Sequence, residues 1–159
     1  MYGWSHSNAV CAACGHPGAN DSVLPGEVQH VDIAKFAENL HTIISMVTSP
    51  TSPYYSPHTR IILITPPPVN PNQRPEDPLT TRNNVNTEAY ARRVVDVAEE
   101  TEVEVVDAWK LFWEKVDGKE ERLAPYLSDG LHLTAAGYEA SPDAYISLKT
   151  TMTVWRCSD

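Results

Sequence analysis

Basic residues are scarce in this sequence, and scattered where they occur. Twelve Lys and Arg stand against 21 Asp and Glu, giving a net charge of −9 and a pI near 5.0. Gripping nucleic acid requires clustered Lys and Arg to neutralise phosphates, and no such cluster exists, so that partner class is set aside. Long apolar runs are missing as well. No stretch approaches the roughly 20 residues needed to span a bilayer. The first 30 residues lack the basic start and apolar run of a secretory signal, so the expected location is cytoplasmic. Cysteine is rare and odd in number: Cys11, Cys14 and Cys157. That is not the even count of a disulfide framework. Cys11-Ala-Ala-Cys14, with His16 close behind, has the spacing of a redox pair or half a zinc site. A complete zinc site needs four ligands, and no second ligand pair follows; the alternative is a chance pairing of small residues. No metal and no cofactor are expected.

What is present fits one domain: 159 residues, 42% of them hydrophobic, with 13 prolines in two main clusters. The clusters, Pro50 to Pro57 and Pro66 to Pro78, mark loops, because proline fixes φ and lacks an amide donor. Ile33, Phe36, Leu40, Ile43, Ile44 and Val47 recur at spacings of three and four, which predicts a helix over 32–47 with Asp32 as its cap. Arg60-Ile-Ile-Leu-Ile-Thr65 is an unbroken apolar run of strand length, as expected for a strand covered on both faces. A second helix is predicted over 86–100, capped by Asn86 or Thr87, then a short strand at 103–107. A third helix follows at 109–116 with Leu111 and Phe112 inward, ended by Gly118. Val10 to Cys14 reads as a short, poor strand. Alternating strand and helix predicts an α/β fold on a parallel sheet.

Two short segments carry candidate chemistry. In Ser128-Asp-Gly-Leu-His-Leu-Thr134, Gly130 allows a sharp turn that aims Asp129 and His132 at one point, with Thr134 capping a following helix. A carboxylate beside an imidazole fixes its tautomer and stabilises its protonated form, and histidine is the natural general base near neutral pH. Taken alone, the segment reads more readily as a surface turn, since Asp-Gly is common turn composition. In Gly18-Ala-Asn20-Asp-Ser22, an asparagine on a tight turn can aim its amide at a developing oxyanion; the same residues are also ordinary turn formers.

The segments in order are more specific than either alone. Gly18-Ala-Asn-Asp-Ser-Val-Leu-Pro-Gly26, His30-Val31, Thr65-Pro-Pro-Pro68, Asn86-Thr-Glu-Ala-Tyr90 and Leu127-Ser-Asp-Gly-Leu-His-Leu-Thr134 together resemble the SGNH (GDSL-type) hydrolases, in particular the branch of isoamyl acetate-hydrolysing esterases. The likeness runs from about Gly18 to Ala140. It implies a three-layer α/β/α sandwich around a parallel sheet. It also implies hydrolysis of small acyl esters, with His132 as general base, Asp129 as its orienting partner, Asn20 as an oxyanion-hole amide and Gly18 permitting the turn that presents it. The family's Gly-Asp-Ser nucleophile motif has no counterpart in these residues. Ser5 and Ser7 lie in neither that motif nor a Gly-x-Ser-x-Gly elbow, and Ser22 stands where the family carries an ordinary side chain, so no nucleophile is identified.

The expected organisation is therefore a divergent segment 1–17, an esterase-type domain 18–140 lacking its first strands, and a divergent tail 141–159, where Ser141-Pro142 breaks the family's closing helix. The expected partner is a small ester substrate, with no nucleic acid and no membrane span, and nothing in the residues specifies an oligomeric state. Two other functions stay open: a catalytically inactive relic or binding module of the same fold, and a Cys-x-x-Cys metal or redox protein.

Overall fold

The computed structural model describes residues 18–76 and 78–140. The expected strand at 10–14, the cysteines, His16, Ser5, Ser7 and the Ser141-Pro142 break lie outside the described residues. Seven apolar-patterned or turn-like segments organise the rest. Helix α1 (Ile33–Thr48) is followed by strand β1 (Ile62–Ile64), helix α2 (Asn84–Thr101) and strand β2 (Glu104–Val106). Helix α3 (Ala108–Lys115), a 3-10 turn at Glu120–Leu123 and a short helix α4 (Ala135–Glu139) complete the order. The two strands pair in parallel, Ile62 with Glu104, Leu63 with Val105 and Ile64 with Val106, as a crossover through α2 requires.

Alternation along β1 divides the core. Ile61 and Leu63 face α1 and α2, where they meet Phe36, Leu40, Ile44, Tyr90, Val94 and Val97. Ile62 and Val106 face the opposite way, with Leu111 of α3 and Ile64 packed against them. The sheet is thus covered on both faces, which is why β1 reads as apolar without interruption. Fully burying a side chain such as Phe36 or Leu40 stabilises the fold by about 1.5–3 kcal/mol, and the Phe36 and Tyr90 rings add a tilted contact at 5.2 Å.

The helix limits follow local chemistry. Asp32 caps α1 by accepting from the Ala34 amide at 2.9 Å. Helix α2 starts earlier than its periodicity suggested. Asn83, not Asn86 or Thr87, is its cap, accepting from the Asn86 amide at 2.7 Å. The reason is that the Asn86 side chain is engaged elsewhere, donating to the carbonyls of Ser22 and Val23. Strand β1 is also shorter than the apolar run, because its ladder extends only over the three residues of β2, Glu104–Val106; Arg60, before it, makes an exposed ion pair with Glu104. Gly118 ends α3 as expected, with φ +68° and its amide on the Trp113 carbonyl at 2.9 Å, the reach of a left-handed helix termination.

After β1 the chain does something unusual for a proline-rich stretch. Residues 65–70 are irregular yet buried throughout. Prolines 66 to 68 bring no amide donors to satisfy. The flanking donors all find partners: Thr65 on Val106, Val69 on the Asn84 carboxamide, and Asn70 on Gly130. The Asn84 carboxamide also donates to the Val69 carbonyl at 2.8 Å, so one side chain serves as a strand partner. No helix among the described residues is long and apolar enough to cross a membrane.

Candidate active site

The loop bearing Asp129 and His132 is stapled at its base. Leu127 bridges Leu133 in antiparallel fashion, the Ser128 amide donates to the His132 carbonyl at 2.8 Å, and the Thr134 amide donates to the Tyr126 carbonyl at 2.9 Å. Thr134 then caps α4, accepting from the Gly137 amide at 3.1 Å while its hydroxyl donates to the Pro125 carbonyl at 2.9 Å. Within this frame Asp129 uses both oxygens. Oδ1 accepts from the amides of Leu131 and His132 at 3.0 and 2.8 Å. Oδ2 lies 2.7 Å from His132 Nδ1. An ionised carboxylate only accepts, so the proton sits on Nδ1, and Nε2 carries the free lone pair of a base. The His132 side chain is 74% exposed, against 27% for Asp129, so Nε2 opens outward.

Partial burial works to raise the Asp129 carboxyl. The His132 amide, the His132 ring and the Leu131 amide outweigh it and hold the pKa down at about 2. Asp129 is therefore charged at any pH where His132 could act as a base. Gly130 seats the loop on the buried segment after β1. It takes φ +89°, its carbonyl accepts from the Asn70 amide at 2.9 Å, and a Cβ there would stand 2.3 Å from the Asn70 carbonyl oxygen.

Asn20 stands on a turn of its own. The Ser22 amide donates to the Gly18 carbonyl at 2.9 Å and the Val23 amide to the Asn20 carbonyl at 3.3 Å. Gly18 is buried at φ +94°, with Phe36, Pro66 and Tyr90 within 3.4 Å of where a Cβ would be. Its amide donates to Asp21 Oδ2 at 3.1 Å. The Asn20 side chain is exposed, and its Oδ1 accepts from Arg82 Nη2 at 3.2 Å. Gly18 thus touches one end of the segment Pro66 to Asn70, and Gly130 the other. An extended run of five residues spans at most roughly 18 Å, so the two motifs rest on one short plate at the carboxyl end of β1, the edge where α/β proteins gather ligands.

The serines among the described residues do not complete a nucleophile. Ser22 is 1% exposed and its hydroxyl points to the Ala19 carbonyl at 3.5 Å. The Ser128 hydroxyl donates to the His132 backbone carbonyl at 3.2 Å, not to the ring. Sequence reasoning passed over Arg82, because a single arginine in a polar loop is usually solvated. The signal available was its position directly before the Asn83 cap of α2, where a side chain starts from a rigid base.

A profile described as the GDSL-like Lipase/Acylhydrolase family matches residues 16–140. The chain is 35% identical over 130 residues to a GDSL esterase/lipase of Arabidopsis thaliana, covering 76% of this chain and 50% of that protein. To an isoamyl acetate-hydrolyzing esterase 1 homolog of Bos taurus it is 36% identical over 129 residues, covering 77% and 49%. A lipase/acylhydrolase of Enterococcus faecalis superposes with a TM-score of 0.59 at 26% identity, over 82% of this chain and 56% of the other. The fold is shared with an acetylxylan esterase of Geobacillus stearothermophilus, with a TM-score of 0.57 at 22% identity over 84% and 55%. The chain spans about half the length of the curated relatives it matches.

Proposed function

This chain belongs to the GDSL-like lipase/acylhydrolase family, and on that premise we propose that residues 18–140 carry the general-base and oxyanion-binding part of a carboxylic ester hydrolase acting on small acyl esters. The observation that carries the reading is the 2.7 Å contact between Asp129 Oδ2 and His132 Nδ1, made in a loop whose ends and apex are all pinned. His132 Nε2 takes the proton of an attacking hydroxyl while Asp129 steadies the imidazolium. The Asn20 Nδ2 group donates to the oxygen of the tetrahedral intermediate. His132 then returns its proton to the departing alkoxide, which leaves the acyl group as an ester on the oxygen of the attacking hydroxyl, a group that neither Ser22 nor Ser128 supplies; a water deprotonated by His132 adds to that acyl carbon and releases the carboxylic acid and the hydroxyl. Segments 1–17 and 141–159 flank this unit.

A second reading has its own support. No Gly-Asp-Ser occurs in the chain, and the hydroxyls of Ser22 and Ser128 are both engaged away from the His132 ring. On that reading the polypeptide is a non-catalytic member that keeps the fold. Losing an oxyanion donor costs on the order of a hundred- to a thousandfold in rate, and losing the nucleophile removes the acyl-enzyme route, so little turnover is expected from this chain by itself.

One experiment separates the two. The purified chain is incubated with p-nitrophenyl acetate and, separately, with a serine-reactive fluorophosphonate. Turnover above an imidazole control that vanishes in His132→Ala, with an adduct on a serine, assigns the complete reaction to this chain. No adduct, and a rate indifferent to His132→Ala, assigns the non-catalytic reading.

A further inference from the structure

We propose that Arg82 is a positioning residue for the oxyanion-binding amide: its buried guanidinium grips the Asn20 turn from beneath and turns the Asn20 carboxamide so that Nδ2 faces the acyl group. The inference rests on the ester-hydrolase reading for what Nδ2 serves. The grip itself stands on geometry alone.

Arg82 is only 9% exposed, rare for an arginine without a carboxylate to pair with. It joins no ion pair among the described residues. Its guanidinium donates instead to oxygens of the turn and its neighbour: Nη1 to the Ala19 carbonyl, Nη2 to Asn20 Oδ1 at 3.2 Å, and Nη2 to Gln29 Oε1 at 3.4 Å. Two of these three acceptors belong to consecutive residues, so the planar fork clamps backbone and side chain of the same turn. Burial lowers the pKa of Arg82 from its usual value, yet a guanidinium stays protonated in any ordinary setting.

The chemistry decides the orientation of Asn20. A guanidinium has donors and no acceptor. The carboxamide atom facing it must therefore be the oxygen, and Nδ2 must point the other way, outward, where it has no partner among the described residues. An asparagine on an exposed turn would otherwise rotate between two nearly equivalent positions, only one of which offers an N–H to an oxyanion. A positive charge on Oδ1 also polarises the amide and strengthens Nδ2 as a donor, as linked hydrogen bonds do. The base of the clamp is fixed from two sides. The Arg82 amide donates to the Leu79 carbonyl at 3.1 Å, and the Leu24 amide to the Thr81 carbonyl at 2.8 Å. Asn83 starts α2 directly after it.

The test uses side-chain nuclear magnetic resonance on the full chain, with Arg82→Lys and Arg82→Gln as variants and acetate as the oxyanion probe. In the unaltered protein the Asn20 Nδ2 protons should show a rigid heteronuclear NOE and shift on acetate titration. In Arg82→Lys the charge remains but the fork is lost, so the NOE should fall to loop-like values and the acetate response should weaken at least tenfold in apparent affinity. Arg82→Gln should behave at least as badly. Backbone amide spectra confirm that each variant is folded, and should Arg82→Gln unfold, the lysine variant alone decides. A rigid, acetate-responsive Asn20 amide in folded Arg82→Lys overturns the proposal. A rigid amide in the unaltered protein that ignores acetate, with the NOE still lost in Arg82→Lys, keeps the clamp and overturns the oxyanion role. Where p-nitrophenyl acetate is turned over, kcat should fall ten- to a hundredfold in Arg82→Lys with KM unchanged; a raised KM at constant kcat also counts against it.

Discussion

Asp129 and Gly130 show how much a single residue can govern in this loop. The Asp129 carboxyl, held at about 2, binds protons more weakly folded than unfolded, where it titrates near the ordinary aspartate value of 3.8. Its stabilising share is therefore complete above about pH 4 and is lost as the pH falls through about 2. A shift of this size corresponds to at most about 2 kcal/mol, and less in practice because the His132 partner is well exposed and screened. A carboxyl carbon titration should place the Asp129 midpoint near 2, and urea melts should show Asp129→Asn flattening the loss of stability between pH 4 and 2. A midpoint near 4 would mean the three donors do not hold the carboxylate. Gly130 carries a steric demand in place of an electrostatic one. In Gly130→Ala the new methyl meets the Asn70 carbonyl oxygen at 2.3 Å, at a positive φ. Destabilisation by about 2–4 kcal/mol is expected, since both backbone strain and a backbone clash must be relieved. The check is a thermal melt; a change below 0.5 kcal/mol, an order-of-magnitude threshold for neutral surface sites, would contradict the seat on Asn70.

The elements of this fold meet at buried polar contacts as well as apolar ones. Thr65, fully buried at the end of β1, accepts from the Trp109 amide at 2.9 Å and donates to Asp107 Oδ1 at 3.1 Å. Asp107 in turn caps α3, accepting from the Lys110 amide at 3.0 Å. One hydroxyl thus fastens the first turn of α3 to the strand. Thr65→Val keeps the shape but leaves the buried Trp109 N–H unpaired, and should cost about 1–3 kcal/mol; Thr65→Ser should recover most of it in chemical denaturation. Equal stability of the valine and serine variants would show that the amide finds another partner. This joint was invisible in the sequence, where Thr65 reads as the end of an apolar run and the start of Thr65-Pro-Pro-Pro68. The elements themselves were legible because their periods are clean: Phe36, Leu40 and Ile44 mark α1, and the unbroken run at 61–64 marks a strand covered on both sides. The cap of α2 was not, because Asn83, Asn84, Asn86 and Thr87 are all adequate caps by residue type. Tertiary demand assigns them separate jobs: Asn83 caps the helix, Asn84 bonds the Val69 backbone, and Asn86 holds the Ser22 carbonyl.

Across the whole molecule, the contact between Asp129 and His132 was readable because they are three residues apart and closed by a local turn, while the role proposed for them came from the order of the segments. The Asn20 turn was readable as a turn, but its contact with Arg82 was not, since that residue lies 62 positions away and no local pattern records that distance. The part of the chain that joins the two motifs is the plate from Pro66 to Asn70. Gly18 lies against its first residue and Gly130 against its last. Adding or deleting even one residue inside it would move one motif relative to the other by about 3 Å, a full hydrogen-bond length. In the loop after it, Gln73 donates to the Leu127 carbonyl at 2.5 Å and Leu79 packs at Gly130, so among the described residues only the exposed tip at Pro75 and Glu76 is without such a duty. Gene-level changes in chain length should therefore be accepted at that tip and rejected inside the plate, making Pro66 to Asn70 a ruler whose length, more than its lettering, is what descent has to preserve.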